Sequence, residues 1–393
     1  MNRTITIKSI CTSLIALTIC GCDAPQQSQQ LHTTNSRSNR ITSLTLAPSK
    51  TKHIAAAIRP LGTVPYDGFA LPIVSPSGNW AATQTGSPPP WSTVLAQANA
   101  SGLSNTSISI FELGWDSSEA SLFKQLREPA MLGRSCDYNG FLIESPRNDG
   151  SRWIGHVSWT TGIINWPAAD ENVNAFADLG PNNQLAWSRR SLDGEHFDLV
   201  VKLGELQWTI VSQGEDWLMP KWSGHANGLF VFRLENGVLQ ATHMDASNSN
   251  AAHKSMKHLK LMSKATIRDA YQCLAATISS ATSNRTAIEH LVFFHPGSLR
   301  LAMWQPLSRG SDASILLADH TTAGLIHNST QALLTDANGL ILQNLINPND
   351  QRRIVPGIQI LRPIDSASWP YVLAAPSEGV VDLTAMRLIE LDD

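Results

Sequence analysis

The chain has few charged residues and no strong excess of either sign. Asp, Glu, Lys and Arg make up 16% of its 393 residues, and the formal net charge is −3. Nucleic-acid-binding domains neutralise phosphates with clustered Lys and Arg side chains. The composition therefore predicts that the chain has no nucleic-acid partner.

Signatures of the common catalytic and nucleotide-binding sites are also missing from the sequence. It contains no GxSxG nucleophile motif, no HExxH zinc motif, no P-loop and no GxGxxG segment after a strand. One close pair of histidines, His253 and His258, lies in a Lys-containing segment. We interpret that segment as a solvated loop or short helix rather than a metal site.

Two adjacent acidic pairs, Asp170-Glu171 and Glu215-Asp216, lie in turn contexts. Such contexts favour solvated carboxylates, so we predict loop positions for both pairs rather than a general acid and base. The sequence therefore indicates no catalytic residue, no cofactor-binding residue and no metal ligand, and we expect no cofactor.

Cysteine is scarce, and most of it is close to the N-terminus. Cys11, Cys20 and Cys22 belong to the first segment, which leaves Cys136 and Cys273 in the remainder. The sequence has no CxxC pair and no Cys/His cluster with zinc spacing, so it gives no support to a structural metal site. We predict that Cys136 and Cys273 are two separate thiols, because the repeats described below place them about three repeats apart.

The chain also lacks a long apolar run, although it begins with a short one. "MNRTITIKSICTSLIALTICGCDAPQQSQQ" places Arg3 and Lys8 before a mostly apolar stretch that ends in small residues. This order is typical of a secretory signal and is too short for a membrane-spanning helix. Ile19-Cys20-Gly21-Cys22 resembles the lipobox of bacterial lipoproteins. The resemblance implies that residues 1–21 are a signal peptide and that Cys22 receives a thioether-linked diacylglycerol as the mature N-terminus.

The segment after Cys22 is rich in Gln, Ser, Thr and Asn and has few large apolar residues. Such a segment cannot offset its ordering entropy by burial. We predict a disordered polar tether over residues 22–55, followed by one folded domain over residues 56–393. The expected location is the bacterial cell envelope, with the protein lipid-anchored to a membrane and facing the periplasm.

The folded part contains many short strand-like runs and little helical periodicity, with helix candidates only near 118–127 and 251–264. The stretch "SPSGNWAATQTG", a turn followed by an apolar strand, returns in degenerate form along the chain. In the clearest copy, Pro72 aligns with Pro220 and Ser75 with Ser223. Successive copies lie roughly forty to sixty residues apart, which is the size of a four-stranded propeller blade with variable loops.

This spacing predicts an all-β fold, a β-propeller of about seven four-stranded blades within a range of six to eight. A pair of β-sandwiches is the alternative, but that fold does not predict copies of the turn-and-strand motif at blade spacing. We expect the ring to be closed by the N-terminal stretch near Ile58–Leu61 or by residues 383–391.

The repeat resembles that of the TolB and WD40-like propeller families, whose units carry Pro, an aromatic residue, Ser-Pro-Asp-Gly and then an apolar strand. Ser75-Pro76-Ser77-Gly78 matches that motif best, with Ser in place of Asp. The resemblance covers roughly residues 60–390 and implies a non-enzymatic surface that holds partner proteins.

Tryptophan is plentiful, with twelve residues against four tyrosines. Six of them lie in the middle third of the chain, at Trp159, Trp166, Trp187, Trp208, Trp217 and Trp222. Exposed indoles could stack on glycans, but alternating strand positions favour packing of blade against blade, which is our interpretation.

Two functions from different classes follow. The first is a monomeric, membrane-anchored binding platform for envelope proteins or another ligand, and it requires no catalytic motif. The alternative is an envelope enzyme with a site in the central funnel, such as a glycan lyase or a quinoprotein-like oxidoreductase. That function requires His, Arg and acidic residues to converge from several inner strands. A bound metal or quinone would favour the enzyme.

Overall fold

The computed structural model describes most of the chain after residue 51, and its secondary structure is almost entirely β-strand. The described residues are 52–68, 70–87, 94–95, 103, 105–223, 227–273, 278–283, 286–295, 300–306, 315–316, 323–328, 331–336, 339–344, 350–354, 362–364 and 371–389. Cys22 and the predicted signal peptide lie outside these residues. In the described part, no helix has the length and apolar character needed to cross a bilayer.

The strands form four-stranded antiparallel blades that follow one another along the chain, and short parallel pairings join blades 2 and 3, and blades 6 and 7, into eight-stranded sheets. The chain first forms β1 (Lys52–Pro65). Blade 1 contains β2 (Ile73–Val74), β3 (Trp80–Gly86), β4 (Thr106–Glu112) and β5 (Ser121–Gln125). Blade 2 contains β6 (Met131–Cys136), β7 (Gly140–Pro146), β8 (Arg152–Ser158) and β9 (Ile164–Ala168). Blade 3 contains β10 (Val173–Gly180), β11 (Gln184–Arg190), β12 (Asp198–Leu203) and β13 (Leu206–Ile210).

The second half of the chain continues the same pattern and adds two short helices. Blade 4 contains β14 (Glu215–Trp222), β15 (Gly228–Glu235), β16 (Val238–Asp245) and, after helix α1 (Ser249–Ser255), β17 (Lys257–Ser263). Helix α2 (Ile267–Gln272) leads to blade 5, which contains β18 (Ile278–Ser283), β19 (Thr286–His295), β20 (Arg300–Trp304) and β21 (Ile315–Leu316). Blade 6 contains β22 (Ala323–Asn328), β23 (Gln331–Asp336), β24 (Gly339–Asn344) and β25 (Gln351–Ile354).

Blade 7 is built from both ends of the folded region. It contains β26 (Arg362–Ile364), β27 (Tyr371–Pro376) and β28 (Val380–Ile389), and β1 supplies its fourth strand. β1 pairs antiparallel with β28 from Ala55 opposite Ile389 to Pro65 opposite Val380. This pairing closes a seven-bladed ring and confirms the predicted propeller, with closure through the N-terminal strand.

Apolar side chains fill the spaces between adjacent blades. Ile110 of blade 1 packs in one cluster with Phe141 of blade 2, and Phe230 of blade 4 lies 5.9 Å from Trp304 of blade 5 between ring centroids. Leu61 on β1 shares a cluster with Val74 of blade 1, which joins blade 7 to blade 1. Among the described residues, such clusters join blades 1 to 5 in turn and blade 7 to blade 1, so these blades depend on their neighbours for burial.

The tryptophans of the middle third serve this packing. Trp159, Trp187, Trp217 and Trp222 are buried within the clusters between blades, and Trp166 and Trp208 are half-buried against the same clusters. The packing interpretation is therefore confirmed for these six residues.

The turn that opens the repeat has the same geometry in blades 1 and 4. The Ser75 N–H donates to the Trp80 carbonyl at 2.9 Å, and the Ser223 N–H donates to the Gly228 carbonyl at 2.9 Å. Gly78 has a φ of 72°, which a residue without a Cβ adopts easily. The alignment of Ser75 with Ser223 is therefore confirmed, and these two residues occupy equivalent places three blades apart.

A recurring hydrogen bond also joins successive blades from blade 1 to blade 4. Three buried polar side chains on second strands accept backbone N–H groups from the first strand of the following blade. The pairs are Gln84 with Leu132 at 2.7 Å, Glu144 with Phe176 at 2.6 Å and Ser188 with Met219 at 3.2 Å. These bonds satisfy N–H groups exposed by irregularities in the inner strands.

Both helix predictions need correction. The segment near 118–127 forms strand β5, whose pairing with β4 contains a bulge around Phe123, so its consecutive apolar residues imitate a helical pattern. The segment near 251–264 forms only the short helix α1 and then strand β17, because β17 completes the edge of blade 4. His253 lies on α1, whereas His258 lies on β17 and not in a loop or helix.

Cys136 and Cys273 are both thiols, as predicted. Each donates a hydrogen bond to a carbonyl, from Cys136 Sγ to Val74 and from Cys273 Sγ to Asp269, both at 3.3 Å. Burial raises the pKa of the Cys273 thiol to about 12, so it stays protonated at neutral pH. The fold therefore depends on packing rather than on a disulfide between these two residues.

Candidate functional site

Helix α2 brings an aromatic side chain to the first strands of blades 2 and 3. Thr266 and Asp269 form a capping box that fixes its first turn. The Tyr271 ring lies 4.6 Å from the guanidinium of Arg134 on β6 and 6.4 Å from the ring of Phe176 on β10. A residue of the connection between blades 4 and 5 therefore contacts blades 2 and 3.

A buried ion pair lies within blade 2. Arg152 Nη1 donates to Glu144 Oε2 at 2.9 Å, and the other Glu144 oxygen accepts the Phe176 N–H. Burial lowers the pKa of Arg152, which is 1% exposed, while the Glu144 carboxylate opposes that shift. Both groups hold blades 2 and 3 together, and we assign them a structural role.

An open groove lies between the outer strands of blades 1 and 2. It has a volume of about 560 Å³, within the range of ~300–1,000 Å³ typical of ligand sites. We call it the blade 1–2 groove, and it is lined by Lys124, Gln125, Leu126, Arg127, Glu128, Gly162 and Ile164.

One wall of the groove is fixed by a lysine that crosses from blade 1 to blade 2. Lys124 Nζ on β5 donates to the carbonyls of Thr161 and Gly162, each at 3.0 Å. A Cβ on Gly162 would lie 2.3 Å from Lys124 Cδ, and its φ of 61° also favours glycine. The glycine therefore allows the close approach that defines the groove.

A large apolar side chain is exposed on the face of blade 1 that meets blade 2. Phe123 on β5 is 42% exposed and stacks edge-to-face on Trp80, which packs against the cluster between blades 1 and 2, with ring centroids 5.2 Å apart. Leu122 is also exposed, but it pairs with Phe111, which packs toward blade 7. Leu122 therefore belongs to the opposite face of blade 1.

The charged groups of the groove divide into a neutralised pair and a cationic surface. Glu128 Oε1 accepts from Arg147 Nη1 at 2.5 Å and from Ser145 Oγ at 3.0 Å. The Arg147 guanidinium lies over the rings of Trp153 and Trp166, at 4.0 and 4.7 Å from their centroids. The Glu128 charge is therefore satisfied within blade 2.

Arg127 differs from the other charged groups of the groove. Its side chain is exposed, and it makes no hydrogen bond or ion pair with any described residue. Its charge therefore remains available to a group that enters the groove. A surface of this kind combines apolar contact with one directional cation, which suits recognition better than catalysis.

The acidic pairs considered in the sequence are not part of this groove. Asp170 lies in a bend and accepts from the N–H of Asn172 at 3.0 Å, as expected for a loop carboxylate. The loop prediction is wrong for Glu215 and Asp216, which begin strand β14 and are each 7% exposed. Their buried carboxylates accept the Trp217 indole N–H and the Phe197 backbone N–H, so both have structural partners.

The two histidines of the Lys-containing segment do not form a ligand pair. His258 Nδ1 lies 2.9 Å from the Thr242 hydroxyl, and burial together with the nearby Arg233 lowers its pKa. His253 is exposed on α1. Within the described ranges, no three His, Cys, Asp or Glu side chains are placed to hold a metal ion.

Sequence reasoning did not identify the groove residues. Lys124 and Gly162 come from two blades, and their proximity depends on blade packing that no local motif encodes. The available signal was the run Leu122-Phe123-Lys124 in a short segment rich in polar residues. An edge strand with a bulge and a lysine has this pattern.

No family model and no curated protein sequence matches the chain. Among solved structures, the Dos1 propeller is 9% identical with a TM-score of 0.47, over 84% of this chain and 95% of that one. A putative TolB from Agrobacterium tumefaciens is 10% identical with a TM-score of 0.32, over 52% and 88%. A Mycobacterium tuberculosis puromycin-hydrolyzing peptidase is 14% identical with a TM-score of 0.35, over 56% of this chain and 34% of its own length. The structural neighbours thus include a TolB protein and other propellers.

Proposed function

We propose that the protein is a lipid-anchored binding platform of the bacterial cell envelope, in which the blade 1–2 groove holds a partner protein. The observation that carries this proposal is the groove itself, a cavity of about 560 Å³, with Phe123 exposed on the strand that carries the groove residue Lys124. Exposed apolar groups around a concave surface are a common mark of protein-binding sites. The chain needs no catalytic group for this role.

The anchoring part of the proposal rests on the N-terminal sequence. Lipid on Cys22 and the polar segment after it would keep the propeller near the membrane surface while leaving it free to turn. The proposed orientation places the propeller, as a monomer, in the periplasm, where envelope proteins are available as partners.

The lipid anchor is tested by replacing the sulfur atom of Cys22 with oxygen. Cys22→Ser removes the sulfur that would carry the diacylglycerol, so we expect the protein to move from the membrane fraction to a soluble or unprocessed form. Labelled palmitate should be incorporated into the wild-type chain and not into the variant. Failure of the wild-type chain to incorporate label would refute the lipid anchor.

The platform itself is tested by crosslinking in living cells. A photoreactive phenylalanine analogue at position 123 should yield a discrete adduct with another protein, because Phe123 is 42% exposed on β5, next to the groove residue Lys124. Leu206, which is 70% exposed on blade 3, provides a matched control position. The same adducts from both positions, or none from position 123, would contradict a partner in the groove.

A further inference from the structure

Short connections at one end of blades 1 and 2 form a surface on which large side chains are exposed. Neighbouring strands of a blade are antiparallel, so its first-to-second and third-to-fourth connections lie at the same end. In these two blades the connections are residues 75–79, 113–120, 137–139 and 159–163. We call this surface the β1 end, because β1 also starts at the third-to-fourth end of blade 7, with Ala55 opposite Ile389.

Hydrogen bonds join the connections of the two blades. Cys136 Sγ donates to the Val74 carbonyl at 3.3 Å, which places the first connection of blade 2 beside the first connection of blade 1. The Trp159 N–H donates to the Asn139 carbonyl at 3.0 Å and so links both connections of blade 2. The connections therefore belong to one continuous surface.

The second connection of blade 1 packs directly on β1. The Gly114 N–H donates to the Leu61 carbonyl at 3.1 Å, and the Asp116 N–H donates to the Pro60 carbonyl at 2.9 Å. Trp115 lies between these two residues and is 43% exposed. Tyr138 and Ile163, from the two connections of blade 2, are 67% and 61% exposed.

We propose that the β1 end faces the bilayer and that Trp115, Tyr138 and Ile163 enter its headgroup region. This inference rests on the lipid anchor of the proposed function and adds the orientation of the propeller. Trp and Tyr favour the boundary between water and hydrocarbon, because their rings are apolar and carry one polar group. The tether alone leaves the propeller free to turn, and these three side chains favour one orientation.

The place where the chain enters the fold favours this end. About thirty residues join Cys22 to Lys52, the first residue of β1. A flexible polar chain of that length has an average end-to-end distance of roughly 30 Å. A lipid on Cys22 would therefore hold the start of β1 near the membrane, and the connections at the β1 end would be the first to meet its surface.

The charges at the β1 end favour an apolar contact over an electrostatic one. Four ionisable side chains lie in two pairs of opposite type, which are Arg59 with Asp116 at 3.8 Å and His156 with Asp137 at 3.3 Å. Lys124 already donates to two backbone carbonyls, and Glu119 is exposed. An anionic lipid surface would repel Glu119, so we expect contact with neutral lipid and little effect of salt.

A lipid surface fits this arrangement better than a second protein does. The three exposed side chains come from three separate connections, and polar residues such as Asn79 and Asn139 lie between them. Lipid headgroups and acyl chains can adapt to separated side chains. A protein interface instead requires a closely packed, complementary core.

The orientation is tested with the anchored full chain in phosphatidylcholine vesicles. A photoreactive phenylalanine analogue replaces Tyr138 in one preparation and Leu192 in another. Leu192 is 47% exposed in the second-to-third connection of blade 3, at the opposite end of its blade. After irradiation, mass spectrometry should find at least about fivefold more phospholipid adduct at position 138 than at position 192, in low and high salt alike.

A pair of double variants tests the neighbouring side chains. Trp115→Ser with Ile163→Ser should lower the phospholipid adduct at position 138 at least about fivefold, because serine gains nothing from leaving water. Leu192→Ser with Val211→Ser removes two exposed apolar groups from the opposite end and should change it less than about twofold. If the first double variant melts at a lower temperature than the wild-type chain, Ile163→Ser alone should still lower the adduct about threefold.

The orientation is overturned by the absence of phospholipid adducts at position 138 or by equal amounts at positions 138 and 192. Protein adducts in place of lipid adducts, when position 138 is irradiated in living cells, would assign the β1 end to a partner protein. If labelled palmitate is not incorporated, the anchor fails and the orientation fails with it. If palmitate is incorporated but position 138 yields no lipid adduct, only the orientation is rejected.

Discussion

Deleting residues 384–393 should unfold the whole propeller rather than one blade. The deletion removes the part of β28 that pairs with Ala55–Pro60 of β1 and with Tyr371–Leu373 of β27. Blade 7 then loses its junction with β1, and the ring opens. Propeller blades bury their faces against each other. We therefore expect the deletion to remove most of the free energy of unfolding, which is ~5–15 kcal/mol for a typical domain.

The measurement is thermal unfolding followed by circular dichroism, with deletion of residues 23–50 as the control. The control removes only the predicted tether and should leave the melting temperature unchanged.

Leu61→Ala provides a milder version of the same test, because Leu61 is fully buried where β1 meets blade 1. The variant should unfold in a single transition, with a free energy of unfolding about 2–5 kcal/mol below that of the wild-type chain. If the chain without residues 384–393 melts at the same temperature as the full chain, the β1–β28 pairing does not hold the folded domain together.

Replacing Arg152 by Met should have the largest effect of any single substitution. The change leaves the Glu144 carboxylate buried between blades 2 and 3 without its cation, which costs about 3–5 kcal/mol in comparable buried pairs. Arg127→Met is the matched control, because Arg127 is exposed and contacts no described group. It should change the free energy of unfolding by less than about 0.5 kcal/mol.

A double variant separates the charge effect from lost packing. In Arg152→Met/Glu144→Gln, no charge is left buried, and the glutamine oxygen can still accept the Phe176 N–H. We therefore expect the double variant to be more stable than Arg152→Met alone when both are unfolded in urea. A double variant whose loss equals the sum of the two single losses would show that the two residues do not interact.

The architecture could be predicted because its signals are local. The turn at Ser75–Gly78 and its copy at Ser223 each require a tight reversal before an apolar strand, and such reversals recur at blade spacing. The strand at Ile58–Leu61 was expected to close the ring, since a circular sheet arrangement needs the last blade to meet the first. β1 fulfils that requirement over a longer range, Lys52–Pro65.

Features that depend on pairing between distant residues could not be predicted. Glu215 and Asp216 look like a solvated turn in the sequence, but their partners Trp217 and Phe197 become available only when blades 3 and 4 pack together. The bulge around Phe123 disturbs the alternation of β5, so the segment reads as helical. Likewise the groove combines residues of two blades, where Lys124 of blade 1 contacts the carbonyls of Thr161 and Gly162 in blade 2.

Native-state amide exchange of the intact chain tests ring closure most directly. If β1 is a structural strand of blade 7, its amides that donate to β28 should exchange only through global unfolding. Their protection should then equal that of β15, in the centre of blade 4. Exchange of the β1 amides at the rate of exposed turns, while β15 stays protected, would contradict a closed ring of seven cooperative blades.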